Sequence, residues 1–143
     1  MKFPIALQTY TIRNELERDY LGSIQKVADV GYQGVELEIP PSWLPLSQLK
    51  SHLEQAGLEW VGCHADYEQL SGHVDQLLDS LTEAGCKNLV LAYLEYHSLK
   101  EVLEAAKRFN QIGESCRRRG IQFLYHNHNH EFQQYDSRPI LDI

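Results

Sequence analysis

The sequence predicts an α/β fold of parallel βαβ units, about five strands and four helices in one domain. Three observations carry that expectation. Helix-like and strand-like patterns alternate along the chain. Each helical pattern stops at a glycine. No Asn-Gly or Asp-Gly hairpin signal separates the strands, so neighbouring strands are joined only through helices and run parallel.

The elements follow in order. A first strand is expected over residues 4–10, ending in Gln8 and Tyr10. The other four strands follow glycines: Gly31-YQGVELE, Gly57-LEWVGCHADY, Gly85-CKNLVLAYLE and Gly120-IQFLYHNHNHEF. The glycines are spaced by 26, 28 and 35 residues, room for one strand, one helix and loops per unit. A glycine just past a helix adopts the left-handed conformation without a Cβ penalty.

The intervening helices show a 3.6-residue apolar period. Their apolar faces are Leu21, Ile24, Val27 and Ala28; then Leu46, Leu49, Leu53 and Ala56; then Leu70, Val74, Leu77, Leu78 and Leu81. The fourth face runs from Leu99 through Val102, Leu103, Ala106, Phe109 and Ile112 to Cys116. It opens on Ser98-x-x-Glu101, a capping box that satisfies two otherwise unpaired backbone donors. Arg117-Arg118-Arg119 sits where this helix ends, where cations suit the dipole.

Composition excludes several classes. The 143 residues carry a net charge of −7, with 43% hydrophobic and 23% charged residues, which suits a globular domain and neither a disordered nor a fibrous chain. An acidic balance works against binding a phosphate backbone, so no nucleic-acid partner is expected. No apolar run approaches the roughly 20 residues of a membrane helix, and the amino terminus turns charged too early for a signal peptide. The expectation is a cytoplasmic protein without a membrane partner. Cys63, Cys86 and Cys116 are odd in number, widely spaced and never in a C-x-x-C pair, so they read as reduced core thiols.

In parallel α/β folds, chemistry sits at the carboxyl ends of the strands. The candidates there are Gln8 and Tyr10; Glu36 and Glu38; His64 and Asp66; Tyr93 and Glu95; then His126, Asn127, His128, His130 and Glu131. Glu36 and Glu38 are two apart and face the same side of their strand. Like-facing carboxylates drive their pKa values apart, as an acid and base pair requires, unless one of them sits past the strand in water.

Tyr125-His126-Asn127-His128-Asn129-His130-Glu131 is the sharpest local feature. Strand alternation sets His126 and His128 roughly 7 Å apart, a span that two imidazoles can close onto one metal ion. The alternative is that both hydrogen-bond and orient a polyol. His126 and His130 would stand roughly 13 Å apart on a straight strand, too far to share an ion unless the chain bends. His64 ends the third strand and can point into the same mouth, or be a satisfied core histidine. His52 and His73 fall in helical patterns and read as surface groups. The letters H-N-H also name a nuclease motif, but that motif needs separated elements and a basic surface.

Two architectures fit the order of elements. A five-stranded doubly wound sheet is about this long, but it normally ends in a covering helix, and Gln8-Thr9-Tyr10-Thr11-Ile12-Arg13 is no glycine-rich phosphate loop. An eight-stranded (β/α)8 barrel needs about 250 residues and would be half present. The stretch Ile5-ALQTYTIRNELERDYLGSIQKVADVGYQGVELE resembles the opening of the sugar phosphate isomerase/epimerase family, whose members are xylose isomerase-like TIM barrels. Leu103-EAAKRFNQIGESCRRRGIQFLYHNHNHEF is similar to that family's fourth helix and fifth strand.

The resemblance covers essentially the whole chain, and it implies that residues 1–143 are the amino-terminal part of such a barrel, cut after strand five. Pro139-Ile140-Leu141-Asp142 reads as the approach to a further helix. Such enzymes isomerise, epimerise or dehydrate sugars and inositol-like polyols, often with a divalent metal (Mn, Mg, Zn or Co) beside a carboxylate that moves a proton. His126 stands where their strand-five carboxylate is usual, and the ligands of strands six to eight are missing, so the metal site is incomplete and the chain alone is expected to be inactive. What carries over is half a pocket. Glu36 and His126 are the expected catalytic residues, Gln8, His64, His128 and Glu131 the substrate-binding ones with Glu131 near the rim, and His126 and His128 the metal pair. The partner implied is a sugar or polyol. Two alternatives stand beside the isomerase or epimerase: an inosose dehydratase-like lyase, and a non-catalytic sugar-binding or structural half-barrel that forms a homo-oligomer through exposed sheet edges.

Overall fold

The computed structural model describes residues 3–72, 74–135 and 137–143, and His73 lies outside them. Five parallel strands form one sheet: β1 (Ala6–Gln8), β2 (Gly34–Glu38), β3 (Glu59–Ala65), β4 (Asn88–Leu91) and β5 (Gln122–Tyr125). Their spatial order is the chain order, each strand hydrogen-bonded to the next. A doubly wound sheet reverses direction from its first strand and interrupts that order. An unbroken sequence of parallel neighbours is the arc of a (β/α)8 barrel, and the chain is an incomplete barrel of this kind.

Four helical crossovers join the strands. The first holds α1 (Arg13–Arg18) and α2 (Tyr20–Val30), the second α3 (Leu46–Ala56). The third holds α4 (Tyr67–Ser71) and α5 (Val74–Ala84), and the fourth α6 (Leu99–Arg118). The third apolar pattern thus spans two helices. Asp66 caps α4 with a reciprocal box: its carboxylate accepts from the Gln69 N–H, and the Gln69 side chain accepts from the Asp66 N–H. Gly72 then ends α4 outside helical geometry.

The punctuating glycines behave as their spacing predicts. Gly31, Gly57, Gly85 and Gly120 have φ of 106°, 71°, 86° and 69°. At the start of α6 the Ser98 hydroxyl accepts from the Glu101 N–H, while the Glu101 carboxylate takes the N–H of His97. Two backbone donors are satisfied, the second one residue earlier than in the simple box. Arg119, just past α6, pairs with Asp75 at 3.1 Å and Asp79 at 2.7 Å, so the basic run also ties α6 to α5.

Alternation along the strands separates two layers. Val35, Leu37, Cys63, Leu89 and Leu91 are fully buried beneath Ile24, Leu49, Leu53, Leu78, Leu81, Ile112 and Cys116 of the helices. Burial pushes the thiols of Cys86 and Cys116 up to about 11 and that of Cys63 higher still, consistent with inert core thiols. The β2–β3 ladder contains one irregularity: Val35 pairs with Trp60 but Glu36 with Gly62, leaving Val61 as an extra residue. After β5 the chain turns through a short 3-10 segment (His130–Phe132) into an antiparallel pair, β6 (Gln134–Tyr135) and β7 (Arg138–Pro139), then one 3-10 turn (Ile140–Asp142). No helix among the described residues is long and apolar enough to cross a membrane.

Candidate functional site

The side chains opposite the helix layer gather at the carboxyl ends of the strands. Gln8 of β1 stands in register with Glu36 of β2. Glu36 reaches across to β3, where His64 Nε2 donates to its Oε1 at 2.5 Å. His64 is buried at 6% exposure and Glu36 is 29% exposed, so the carboxylate remains reachable. Gly62 makes room for this pair: a Cβ there would stand 3.3 Å from Glu36 Cγ. Thr9, buried just after β1, donates from its hydroxyl to the Glu36 carbonyl and fixes that backbone.

The histidine run begins where β5 ends. The His126 N–H donates to the Leu91 carbonyl as the last rung beside β4. Its ring meets His64 edge-on at 5.4 Å between centroids and lies parallel to His128 at 4.8 Å. His128 in turn stacks on His130 at 5.8 Å, and Tyr93 packs against both His128 and His130. Glu36, His64, His126, His128 and His130 thus form one contiguous row from β2 across the sheet to the loop after β5.

Glu131, expected near the rim, is instead fully buried. Its oxygens are taken by the Tyr125 hydroxyl at 2.5 Å and the His128 N–H at 2.7 Å, and His130 Nε2 stands 3.2 Å away. Burial opposes the charge, but these donors outweigh it and hold the carboxyl below its usual range. The Tyr125 phenol moves the other way, pushed up first by burial and then by its bond into Glu131. Glu131 therefore organises the loop from inside. The 3-10 turn is the bend that brings His130 back toward His128, so the straight-strand distance between His126 and His130 does not apply. Among the described residues, one group of three can converge on a cation: His128, His130 and Glu131, with ligand atoms all within 4.8 Å of one another. His126 stands outside that group, stacked on its edge.

Other strand-end candidates point elsewhere. Glu38 is exposed, in water past Glu36. Tyr10 is exposed with the Arg13 guanidinium over its ring, and Asp66 is spent on capping α4. Glu95 accepts from the Tyr93 hydroxyl. His52, on α3, bonds the Leu21 carbonyl. Sequence reasoning missed Thr9, Tyr96 and Tyr125, the last two linked through their hydroxyls beside Glu131. A tyrosine directly before the histidine run was the one available signal.

No protein-family model matches the chain, and no curated protein matches it. Solved structures do. A sugar phosphate isomerase/epimerase from Parabacteroides distasonis superposes with a TM-score of 0.82 at 23% identity over 99% of this chain and 64% of its own. A family 2 AP endonuclease from Brucella melitensis gives 0.69 at 18% identity, over 86% of this chain and 55% of its own. A xylose isomerase-like TIM barrel protein from Mycobacterium smegmatis, in complex with magnesium, gives 0.64 at 13% identity, over 87% and 55%. In each case the chain spans less than two-thirds of the structure it matches. These likenesses establish the fold, that of a partial TIM barrel.

Proposed function

We propose that residues 1–143 are the amino-terminal part of a xylose isomerase-like barrel that isomerises or epimerises a sugar or polyol by proton transfer assisted by a divalent metal. The observation that carries this reading is the row from Glu36 through His64 and His126 to His128, gathered at the carboxyl ends of the strands. In such a barrel that end is where substrate binds. Gln8, His64 and His128 offer hydrogen bonds that orient hydroxyls. Glu36 is the carboxylate placed to take a proton from carbon, and His64, bonded to its Oε1, holds it in place. His126, exposed beside His64, is placed to return a proton to oxygen. A bound divalent cation supplies Lewis acidity to neighbouring carbonyl and hydroxyl oxygens. Among the described residues His128, His130 and Glu131 are a donor set that suits such an ion.

A keto-sugar and inosose panel with Mg²⁺, Mn²⁺, Co²⁺ or Zn²⁺ tests the proposal on the protein as its source cell makes it. Turnover is expected, and Glu36→Ala and His126→Ala should each lower it by about 100-fold or more while leaving the unfolding transition in place. Silence across the panel would end the isomerase reading. Loss of water from an inosose would assign the chemistry to the dehydratase alternative, since the same proton removal can expel a β-hydroxyl. The net charge of −7 argues against the nucleic-acid substrate of the endonuclease that shares the fold.

The second reading, a non-catalytic half-barrel that oligomerises, is favoured by one observation. Among the described residues β1 and β5 each have a strand partner on one side alone, and a groove of about 650 Å³ runs beside β5, lined by Phe109, Phe123 and the exposed Leu124. A monodisperse monomer at high concentration with no sugar-dependent shift in melting would eliminate it.

A further inference from the structure

Two buried groups in the loop after β5 lack what burial demands. Glu131 is fully buried, yet among the described residues no Lys or Arg pairs with it. Among the described residues the one basic side chain beside its carboxylate is His130, whose Nε2 stands 3.2 Å away. A buried carboxylate without a matched cation is costly. Beside it, His128 Nδ1 is buried with no hydrogen-bond partner among the described residues. Neither a hydrogen nor a lone pair on that atom is satisfied by the protein. Both demands are met by the same object, a cation between them.

We propose that His128, His130 and Glu131 form a cation site selective for borderline first-row ions such as Zn²⁺ or Co²⁺ over Mg²⁺, with His126 outside it. Two imidazoles and one carboxylate are the donor set that such ions prefer, leaving a position open for water or substrate oxygen, whereas Mg²⁺ prefers oxygen donors and keeps its waters. The ligand atoms lie within 4.8 Å of one another, and bonds of about 2.0–2.1 Å allow at most about 4.2 Å, so side-chain rotation must close the set by roughly half an ångström. A second layer already supports it. The Tyr125 hydroxyl and the His128 N–H orient the Glu131 carboxylate, the Tyr96 hydroxyl stands behind Tyr125, and His130 Nε2 bonds the Leu94 carbonyl, so that a cation would be taken by its other ring nitrogen, Nδ1. Tyr93 covers the rings of both histidines. Use of the ion in catalysis rests on the sugar-isomerising reading; its binding does not.

Metal-free protein titrated with Co²⁺ alone tests the site by calorimetry and by the visible d–d absorption of the ion. One Co²⁺ per chain is expected, displaced by Zn²⁺ and unaffected by a large excess of Mg²⁺. His128→Gln and His130→Gln should each weaken binding by about 100-fold and Tyr125→Phe by about 10-fold, while His126→Ala binds as the unmodified protein does. His130→Gln retains a donor for the Leu94 carbonyl, and near-UV circular dichroism establishes that each variant is folded. Failure of Co²⁺ to bind, equal competition by Mg²⁺, or loss of binding in His126→Ala with retention in His130→Gln would each overturn the proposal. Co²⁺ bound at the three residues without turnover on the sugar panel would refute the isomerase reading and leave this site standing. Turnover without Co²⁺ binding would do the reverse.

Discussion

The centre of the sheet and its β5 side solve different problems with the same parallel ladder. In β2, β3 and β4, Val35, Leu37, Cys63, Leu89 and Leu91 have no exposed surface. In β5, exposed and half-buried residues alternate, and Leu124 is 37% exposed. The centre is held by apolar area. The loop after β5 is held by specific bonds: Tyr125 and His128 to Glu131, His130 to Leu94, Tyr96 to Tyr125. The polar row stands on a rim whose backbone is fixed by hydrogen bonds, while the apolar layer lies behind it.

Truncating the centre should have the largest effect. Leu37→Ala leaves a cavity under the helices and is expected to cost about 2–5 kcal/mol by urea denaturation. A value below about 1 kcal/mol would mean that the centre is not the main source of stability. Glu131→Gln comes next, at about 1–3 kcal/mol, because it disturbs bonds made inside the protein. Its pH dependence sharpens the contrast. The folded carboxyl lies below its unfolded value of about 4.3, so its contribution is complete above that pH and fades as pH falls through the folded value. The gap in urea midpoint between the two proteins should therefore narrow in acid, whereas the loss in Leu37→Ala should not follow that titration. Leu124→Ala should be smallest, within about 0.5 kcal/mol, and a larger loss would show that a partner covers this edge.

The fold was legible because its signals are local. Four glycines, the apolar helix patterns and the Ser98 cap each depend on neighbours a few residues away, and the structure keeps them with two changes: the third pattern is split over α4 and α5, and in the fourth Leu103 is exposed while Ala105 is buried. The break between α4 and α5 was also written locally, in Asp66, Gln69 and Gly72, but the continuous apolar period across it hid the cap. The site was half legible. Strand alternation put Glu36 on the side opposite the helix layer, where the structure has it bonded to His64. It could not place Glu131, because residues past the end of β5 follow a 3-10 turn and no longer alternate. His64 shows the same limit: four residues from Trp60, it should share that residue's face. Trp60 joins the apolar core, while His64 meets Glu36 and His126.

Val61 is the reason, and it changes how β3 tolerates editing. Parity along a strand normally makes a one-residue deletion ruinous, since every later side chain changes sides. Here Trp60 and Cys63 lie three apart yet both belong to the apolar core, because the extra residue absorbs one step. Removing Val61 would leave an evenly counted ladder with Glu36 still opposite Gly62 and His64 still beside Glu38. The strand carries a spare letter, and its working half can be shortened at that one position without being rewritten.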